Sequence, residues 1–265
     1  MLEETFGNRK PVIAMAHFPP LPGAPLYDAG SGMDGILDYV SRDLGNLQDG
    51  GVDCLMFGNE GDRPYLLSAS PESLSAMAAA IGALKGMLRV PFGVNYLWDP
   101  VATVALGVAT GAAFAREIFT GVYDSDMGLW QPDAAKAVRL RHDLGRDDMK
   151  LLFNVNAEFA SPVGARPVEA RAKSAVFSSL ADVILVSGPM TGQPVDGSEL
   201  RRVKEAVGVT PVFANTGVNK DNVADILSVA DGVIIGTHLK VDGDTWNPVD
   251  PERVKCFMGS VGKAR

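Results

Sequence analysis

Cysteine is scarce in this sequence, which has only two, Cys54 and Cys256, among 265 residues. Two cysteines so far apart match neither a disulfide framework nor the spacing of a zinc site. Free cysteines commonly behave as small core residues, so both are expected to be buried thiols.

Positive charge and long apolar runs are also in short supply. The 24 Lys and Arg residues stand against 32 Asp and Glu, and the formal net charge of −8 opposes binding to nucleic acid or to an anionic membrane surface. No apolar run approaches the roughly 20 residues of a membrane span, and the first residues lack the features of a signal peptide. The sequence therefore predicts a cytoplasmic protein whose partner is a small molecule.

What the sequence does have is a regular alternation of short apolar runs with amphipathic stretches, which is the pattern of consecutive βα units. Hydrophobic residues make up 46% of the chain, enough for one large core. The length suits an α/β fold, a single (β/α)8 TIM barrel over residues 1–265. The eight strands are predicted at Pro11–Met15, Val52–Phe57, Pro91–Asn95, Ala112–Ile118, Met149–Val155, Asp182–Val186, Pro211–Ala214 and Gly232–Ile235.

Helical patterns separate these strands, with prolines at several of their starts, where a missing N–H costs nothing. Asn219 is expected to cap the helix before the last strand. Two connections are long, His17–Met33 and Thr120–Gln131; loops at this end of a barrel shape the binding site, and the first is expected to form a lid. The helices are predicted at Asp34–Gln48, Pro71–Met87, Asp99–Ala109, Pro132–Leu144, Pro167–Leu180, Ser198–Val207, Asn219–Ser228 and Pro251–Val261.

Glycine follows each of the last two predicted strands, at Gly217 and Gly236. In a barrel these strand ends commonly bind phosphate, and glycine lets backbone N–H groups approach an anion closely. Thr216, Gly217, Gly236 and Thr237 are therefore the candidate phosphate-binding residues. Plain tight turns are the alternative interpretation of the same glycines.

Alternation along each strand predicts which polar side chains point into the barrel mouth, since every second residue faces inward. Small residues mark the inner face. In the third strand Gly93 is in phase with Asn95, and in the fourth the alanines Ala113 and Ala115 are in phase with Glu117. The inward polar residues are predicted to be His17, Glu60, Asn95, Glu117, Asn154, Asn156 and Glu158.

The chemistry that these residues suggest is proton transfer or sugar recognition. His17, Glu60 and Glu117 are the candidate acid–base groups. Lys240 is the only late lysine candidate, and Schiff-base catalysis is not expected because no strand ends in an inward lysine. A divalent metal is an open alternative, because the set is rich in oxygen ligands but has no diagnostic spacing. The candidate substrate-binding residues are Asn95, Arg116, Asn154, Asn156 and Asn215, of which Arg116 either contacts an anion or pairs with a rim carboxylate.

Several unusual strings of residues are distributed along nearly the whole chain. They are Val-Ile-Ala-Met-Ala-His-Phe at 12–18, Leu-Pro-Gly at 21–23, Asp-Gly-Gly-Val-Asp at 49–53, Phe-Gly-Asn-Glu at 57–60, Pro-Phe-Gly-Val-Asn at 91–95, Leu-Trp-Asp-Pro at 97–100, Arg-Glu-Ile-Phe-Thr-Gly at 116–121 and Ala-Asn-Thr-Gly-Val at 214–218. In these strings the chain resembles the BtpA/SgcQ family, most closely its SgcQ-like branch.

The resemblance implies a barrel related to those that bind ribulose-type phosphates. The family is named after a factor needed for photosystem I accumulation, and some SgcQ-like members carry a nucleosidase label and sit among sugar-utilisation genes. Three hypotheses follow. The leading one is an enzyme acting on a phosphorylated sugar or sugar-like metabolite, as an isomerase, lyase or hydrolase; the others are a nucleosidase and a non-catalytic binding or assembly factor. A homo-oligomer is expected by analogy with other barrels.

The fifth predicted strand departs from the photosynthetic branch, in which the same stretch carries an Asp-x-His-x-Lys-like pattern. Here Asn154, Asn156 and Glu158 occupy it. The change removes two ionisable groups and a positive charge from the mouth. It argues against a role in photosystem assembly.

Overall fold

The computed structural model describes residues 1–188 and 192–265. Within these ranges eight parallel strands close into one barrel, so the TIM-barrel prediction is confirmed. Each predicted strand overlaps one strand of the barrel. In chain order the strands are β1 (Val12–His17), β2 (Cys54–Gly58), β3 (Phe92–Asn95), β4 (Phe114–Glu117), β5 (Tyr123–Ser125), β6 (Gly128–Trp130), β7 (Lys150–Asn154), β8 (Ala160–Pro162), β9 (Val183–Ser187), β10 (Val212–Asn215) and β11 (Gly232–Ile235). The barrel consists of all of these except β5, β6 and β8.

Helices pack around the barrel between successive strands. They are α1 (Leu2–Phe6), α2 (Gly32–Asp49), α3 (Pro71–Leu84), α4 (Pro100–Thr110), α5 (Ala134–Asp143), α6 (Val168–Ser179), α7 (Gly197–Val207), α8 (Val223–Leu227) and α9 (Pro251–Ala264). The short α1 was not expected from the sequence.

Helix α8 is shorter than predicted, but the capping hydrogen bonds expected of Asn219 are present. The Asn219 Oδ1 atom accepts hydrogen bonds from the backbone N–H groups of Asp221 (2.9 Å) and Asn222 (3.1 Å). These bonds close a turn ahead of the helix, which begins only at Val223.

Three helices begin with an acceptor side chain followed by proline, as the prolines in the sequence indicated. The cap side chain accepts hydrogen bonds from backbone N–H groups of the first turn, and proline occupies a position where its missing N–H is not needed. These starts are Ser70–Pro71 in α3, Asp99–Pro100 in α4 and Asp250–Pro251 in α9.

The interior of the barrel is apolar below its mouth. Helix α1 lies at the amino ends of the strands, and the Phe6 ring packs against Phe114 (centroids 5.1 Å apart) and Phe213 (5.5 Å). Cys54 is buried in the same cluster, as expected. Cys256 is exposed on the surface of α9, so the prediction of a second buried thiol was wrong.

The connection Thr120–Gln131 is not an irregular loop. It contains β5 and β6, which form an antiparallel ribbon that β8 extends after the strand β7. Tyr123 and Trp130 pack against each other and are buried, so the ribbon has a core of its own. In the described part of the chain, no helix combines the length and apolar character that crossing a lipid bilayer requires.

A fully buried ion pair joins α2 to the segment after β11. Lys240 Nζ donates to Asp43 Oδ2 (2.7 Å), and the second oxygen of Asp43 accepts from the Val249 N–H (2.8 Å). Both side chains are shielded from solvent. Lys240 is therefore held inside the protein by Asp43.

Replacing Asp43 with Ala should lower the free energy of unfolding by about 3–5 kcal/mol, because it leaves a buried ammonium without its counter-ion. Urea denaturation followed by circular dichroism measures the loss. Asp49→Ala is the matched control, since Asp49 lies on the same helix in an exposed pair with Arg89 and should change stability by less than about 1 kcal/mol. Equal effects of the two substitutions would contradict the importance of the buried pair.

Candidate active site

A cavity of about 730 Å³ opens at the carboxyl ends of the barrel strands. Such a concave site with a few converging polar groups is the usual form of a small-molecule site. Eleven of the twelve predicted site residues line this cavity, and Asn156 does not. The eleven are His17, Glu60, Asn95, Arg116, Glu117, Asn154, Asn215, Thr216, Gly217, Gly236 and Thr237.

In β1, β2, β3 and β7, the alternate residues that were predicted to face into the barrel do so. Their inward residues below the mouth include Ile13, Met56 and Leu152, which lie in the cluster inside the barrel. Phe153 and Val155 pack outward against the helices, as expected.

In β4 the predicted phase was wrong. Phe114 lies inside the barrel and Ala115 lies in the outer layer, so Arg116 points inward and Glu117 does not. The reason is Gly93 on the neighbouring strand: a Cβ atom there would lie 2.1 Å from the Phe114 ring. The glycine thus makes room for an inward aromatic ring, and Glu117 reaches the cavity only from the end of its strand.

His17 and Glu60 lie side by side in the mouth of the barrel. The His17 Nε2 atom lies 3.7 Å from Glu60 Oε1. Burial, followed by the charge of Lys240, lowers the pKa of His17 well below its ordinary value. Burial raises the pKa of Glu60 to about 7, although the positive charge of Arg116 opposes this shift. Within the described residues Glu60 Oε2 has no hydrogen-bond partner.

Glu117 has a different environment, because protein atoms surround its carboxylate. It accepts hydrogen bonds from Asn95 Nδ2 (3.1 Å), from the Trp98 N–H (2.7 Å) and from the Ile118 N–H. Burial still raises its pKa to about 7, against these hydrogen bonds. The contact with Trp98 fixes the loop between β3 and α4, where Trp98 itself has a positive φ of 71°.

An amide floor, formed by Asn154, Ser187 and Asn215, spans β7, β9 and β10. Ser187 Oγ donates to Asn154 Oδ1 (3.0 Å), and Asn215 Nδ2 donates to Ser187 Oγ (2.7 Å). Asn156 does not join this floor. Its amide holds the backbone of Ser187, accepting from the Ser187 N–H at 2.8 Å and donating to the carbonyl.

Arg116 is the buried cation of the mouth and is 9% exposed. Its NH2 atom lies 3.9 Å from Glu158 Oε1, and its NH1 atom lies 4.0 Å from Met15 Sδ. The guanidinium therefore points into the cavity from inside the barrel.

Both candidate phosphate-binding glycines are also needed for protein packing. A Cβ atom on Gly217, which has a φ of +63°, would lie 2.2 Å from the backbone of Gln193 and Pro194. A Cβ atom on Gly236 would lie 3.1 Å from the His17 ring. The turns at Gly217 and Gly236 nevertheless line the cavity, together with Thr216 and Thr237.

The lid expected at His17–Met33 is not found over the mouth, and that expectation was wrong. Beyond His17 this segment contributes no residue to the cavity. Phe18 and Leu21 are buried, and the Leu21 N–H donates to Asp62 Oδ1 (2.8 Å), which holds the segment against the loop after β2. The rim is formed instead by the β5–β6 ribbon, residues 158–159 and the segment after β11.

Aromatic side chains form one wall of the cavity and were missed by the sequence reasoning. Tyr65, Trp98 and Trp246 line it, and the Arg63 guanidinium lies 3.4 Å above the Trp246 ring. Their loops carry no periodic signal, so the sequence could not group them. Ser187 was also missed, although its phase with Val183 and Leu185 could have identified it.

Among residues 1–188 and 192–265, no group of three or more His, Cys, Asp or Glu side chains is placed to hold a metal ion. Glu117, one of the carboxylates considered for such a site, is already engaged by three donors.

Comparison with known proteins identifies relatives along the whole chain. The chain is 47% identical over 264 residues to the sgc region protein SgcQ of Escherichia coli (strain K12), with 100% of this chain and 98% of that protein covered. It is 30% identical over 265 residues to the Photosystem I biogenesis protein BtpA of Synechocystis sp., with 99% and 91% covered.

Solved structures extend the similarity to distant barrels. Phosphoribosyl anthranilate isomerase from Thermus thermophilus matches with a TM-score of 0.58 at 13% identity, covering 96% of this chain and 100% of that one. At this identity the similarity shows the fold alone.

The pattern of the BtpA family matches residues 8–263, nearly the full length of the chain. Together with the 47% identity to SgcQ, this match shows that the chain belongs to the BtpA family.

Proposed function

We propose that this protein is an enzyme that acts on a phosphorylated sugar or sugar-like metabolite by proton transfer. The observation that carries the proposal is the buried Glu60 carboxyl beside a neutral His17, with its pKa raised to about 7. A general base is most effective when its pKa lies near the working pH. The cavity is large enough for a small metabolite.

In the proposed step, ionised Glu60 removes a proton from the carbon next to a substrate carbonyl. The electron pair of the broken C–H bond forms a C=C bond while the carbonyl π pair moves onto its oxygen, which gives an enediolate. The proton of the neighbouring hydroxyl group moves to that oxygen, and Glu60 then returns its proton to the former carbonyl carbon. Neutral His17 lies within reach to donate or accept a hydrogen bond at the substrate oxygen. Glu117 positions the loop that carries Trp98, while the amide floor and Asn95 contact hydroxyl groups.

The phosphoryl group is assigned to the ends of β10 and β11. Thr216, Gly217, Gly236 and Thr237 supply backbone N–H groups there, and Arg253 lines the same part of the cavity. The isomerase from Thermus thermophilus is named for a phosphoribosyl compound, which supports this choice of ligand. By analogy with other barrels, we also propose that the protein forms a homo-oligomer.

Nucleoside hydrolysis is the second candidate, and the aromatic wall favours it. Tyr65, Trp98 and Trp246 offer surfaces on which a base can stack. Asn156 is not available to hold the ribose because its amide binds Ser187. Asn95 remains for that role.

Replacing Glu60 with Gln should lower the rate of proton transfer by about 100-fold or more, because an amide cannot act as the base. Incorporation of deuterium from heavy water into a panel of sugar phosphates, followed by NMR, measures it. In the wild type kcat/KM should rise with pH through about 7, since Glu60 must be ionised to act and His17 stays neutral.

Asp124→Asn is the control for this experiment, since Asp124 is exposed on β5 outside the cavity. It should keep the wild-type rate. Exchange that is unchanged in Glu60→Gln, or a pH profile that is the same with and without the carboxyl, would contradict the role of Glu60.

Titration with inorganic phosphate should shift the amide NMR signals of Gly217, Gly236 and Thr237. The reason is that the bound anion would contact their N–H groups. Direct observation is preferable to a Gly217→Val variant, because that side chain would collide with the backbone at Gln193 whether or not an anion binds. Sodium chloride at equal ionic strength is the control. Shifts confined to other residues would place the phosphate elsewhere.

Incubation with a panel of nucleosides decides between the two candidates. Proton transfer predicts no release of free base, measured by chromatography, whereas N-glycosidic hydrolysis predicts release that Glu60→Gln abolishes. If neither activity is found and a stable protein partner co-purifies with the chain, the assembly-factor hypothesis replaces both.

A further inference from the structure

The guanidinium of Arg116 has no hydrogen-bonded oxygen acceptor in the described part of the chain. Its contacts are Glu158 Oε1 at 3.9 Å, beyond hydrogen-bond distance, and the thioether of Met15. A guanidinium carries five N–H donors, and donors that are desolvated without an acceptor cost free energy. The side chain is 9% exposed, and the guanidinium faces the cavity. An anionic ligand in the cavity can therefore supply the hydrogen-bond acceptors that Glu158 does not.

The position of Arg116 indicates which kind of anion. Its Cα is paired in register with Leu152, an interior residue one step below Asn154, so the guanidinium rises from the base of the cavity. A planar fork of donors matches the paired oxygens of a carboxylate or of a phosphate. The proposed function already places the phosphate at the backbone N–H groups after β10 and β11, which leaves a carboxylate as the second anion for Arg116.

The amides beside Arg116 indicate what carries the carboxylate. Asn154 Oδ1 is occupied by Ser187, which leaves Asn154 Nδ2 as a donor toward the cavity. Asn215 and Asn95 use their Nδ2 atoms within the protein, which leaves their oxygens as acceptors. Donors and acceptors in alternation suit a chain of hydroxyl groups, not a hydrocarbon.

We infer that Arg116 binds a carboxylate of the substrate and that the substrate is a phosphorylated sugar acid. This inference rests on the proposed function, whose phosphate site holds the other end of the molecule. The sugar acid then spans the cavity from the Arg116 guanidinium to the turns after β10 and β11, with its hydroxyl groups over the amide floor.

Binding to matched ligands tests the inference. Sets are built from straight-chain sugars of four to six carbons, in all available stereoisomers: the phosphorylated aldonic acid, the parent aldose phosphate, and the aldonic acid without phosphate. Calorimetry on the wild type should find a phosphorylated acid that binds at least about tenfold more tightly than its parent aldose phosphate, as expected for a charge-assisted pair.

Arg116→Met should abolish that preference and leave the affinity for aldose phosphates unchanged. The ligand-free melting temperature should change little, because the substitution breaks no hydrogen bond to a protein oxygen. A purely structural role for Arg116 predicts a fall instead. Arg63→Gln is the matched control: it removes a cation from the same cavity, one that lies over Trp246, and should keep the preference.

The inference is wrong if no acid binds more tightly than its parent aldose phosphate, or if Arg116→Met keeps the preference. If deuterium exchanges into an aldose phosphate but no phosphorylated acid binds more tightly than its parent aldose phosphate, the proposed proton transfer is supported and the proposal of a sugar-acid substrate is wrong. An Arg116-dependent preference that phosphorylation does not improve would support the carboxylate site and overturn the phosphate site of the proposed function.

Discussion

The candidate site depends on the removal of ionisable side chains from water at the mouth of a closed barrel. Every second residue of each strand must face inward, and the layer below the mouth is hydrocarbon, with Ile13, Met56 and Phe213 among its members. A carboxyl or imidazole group placed on this layer loses hydration that it cannot recover from below. Burial for this reason lowers the pKa of His17 and raises that of Glu60. The same pair on the surface would be well solvated and would contribute little.

Burial alone does not distinguish structural from functional charges, but their hydrogen-bond partners do. Asp43 is as deeply buried as any residue of the site, yet both its oxygens are bonded within the protein. Glu117 is also saturated by protein donors, whereas Glu60 keeps an unpartnered oxygen within the described residues. A polar atom that faces a cavity without a hydrogen-bond partner is available to a ligand, because the ligand can supply the missing partner.

Local patterns in the sequence were sufficient to predict the barrel and most of the mouth, because a strand's alternation and a helix's capping residues act over a few positions. They failed where contacts between residues far apart in the sequence determine the structure. The inward phase of β4 depends on the space above Gly93, on another strand, and the aromatic wall collects side chains from separate loops. The role of Asn156 was similarly hidden, because its partner Ser187 lies on the next barrel strand.

Helix α1 gives the barrel only one open end. The Phe6 ring fills the space between Phe114 and Phe213, and the Phe6 carbonyl accepts a hydrogen bond from Cys54 Sγ (3.3 Å), so the amino ends of the strands are stoppered. A metabolite cannot pass through such a compartment from one side to the other. Any molecule that binds in the cavity must enter and leave through the same opening, so in the proposed enzyme product release must precede the binding of the next substrate.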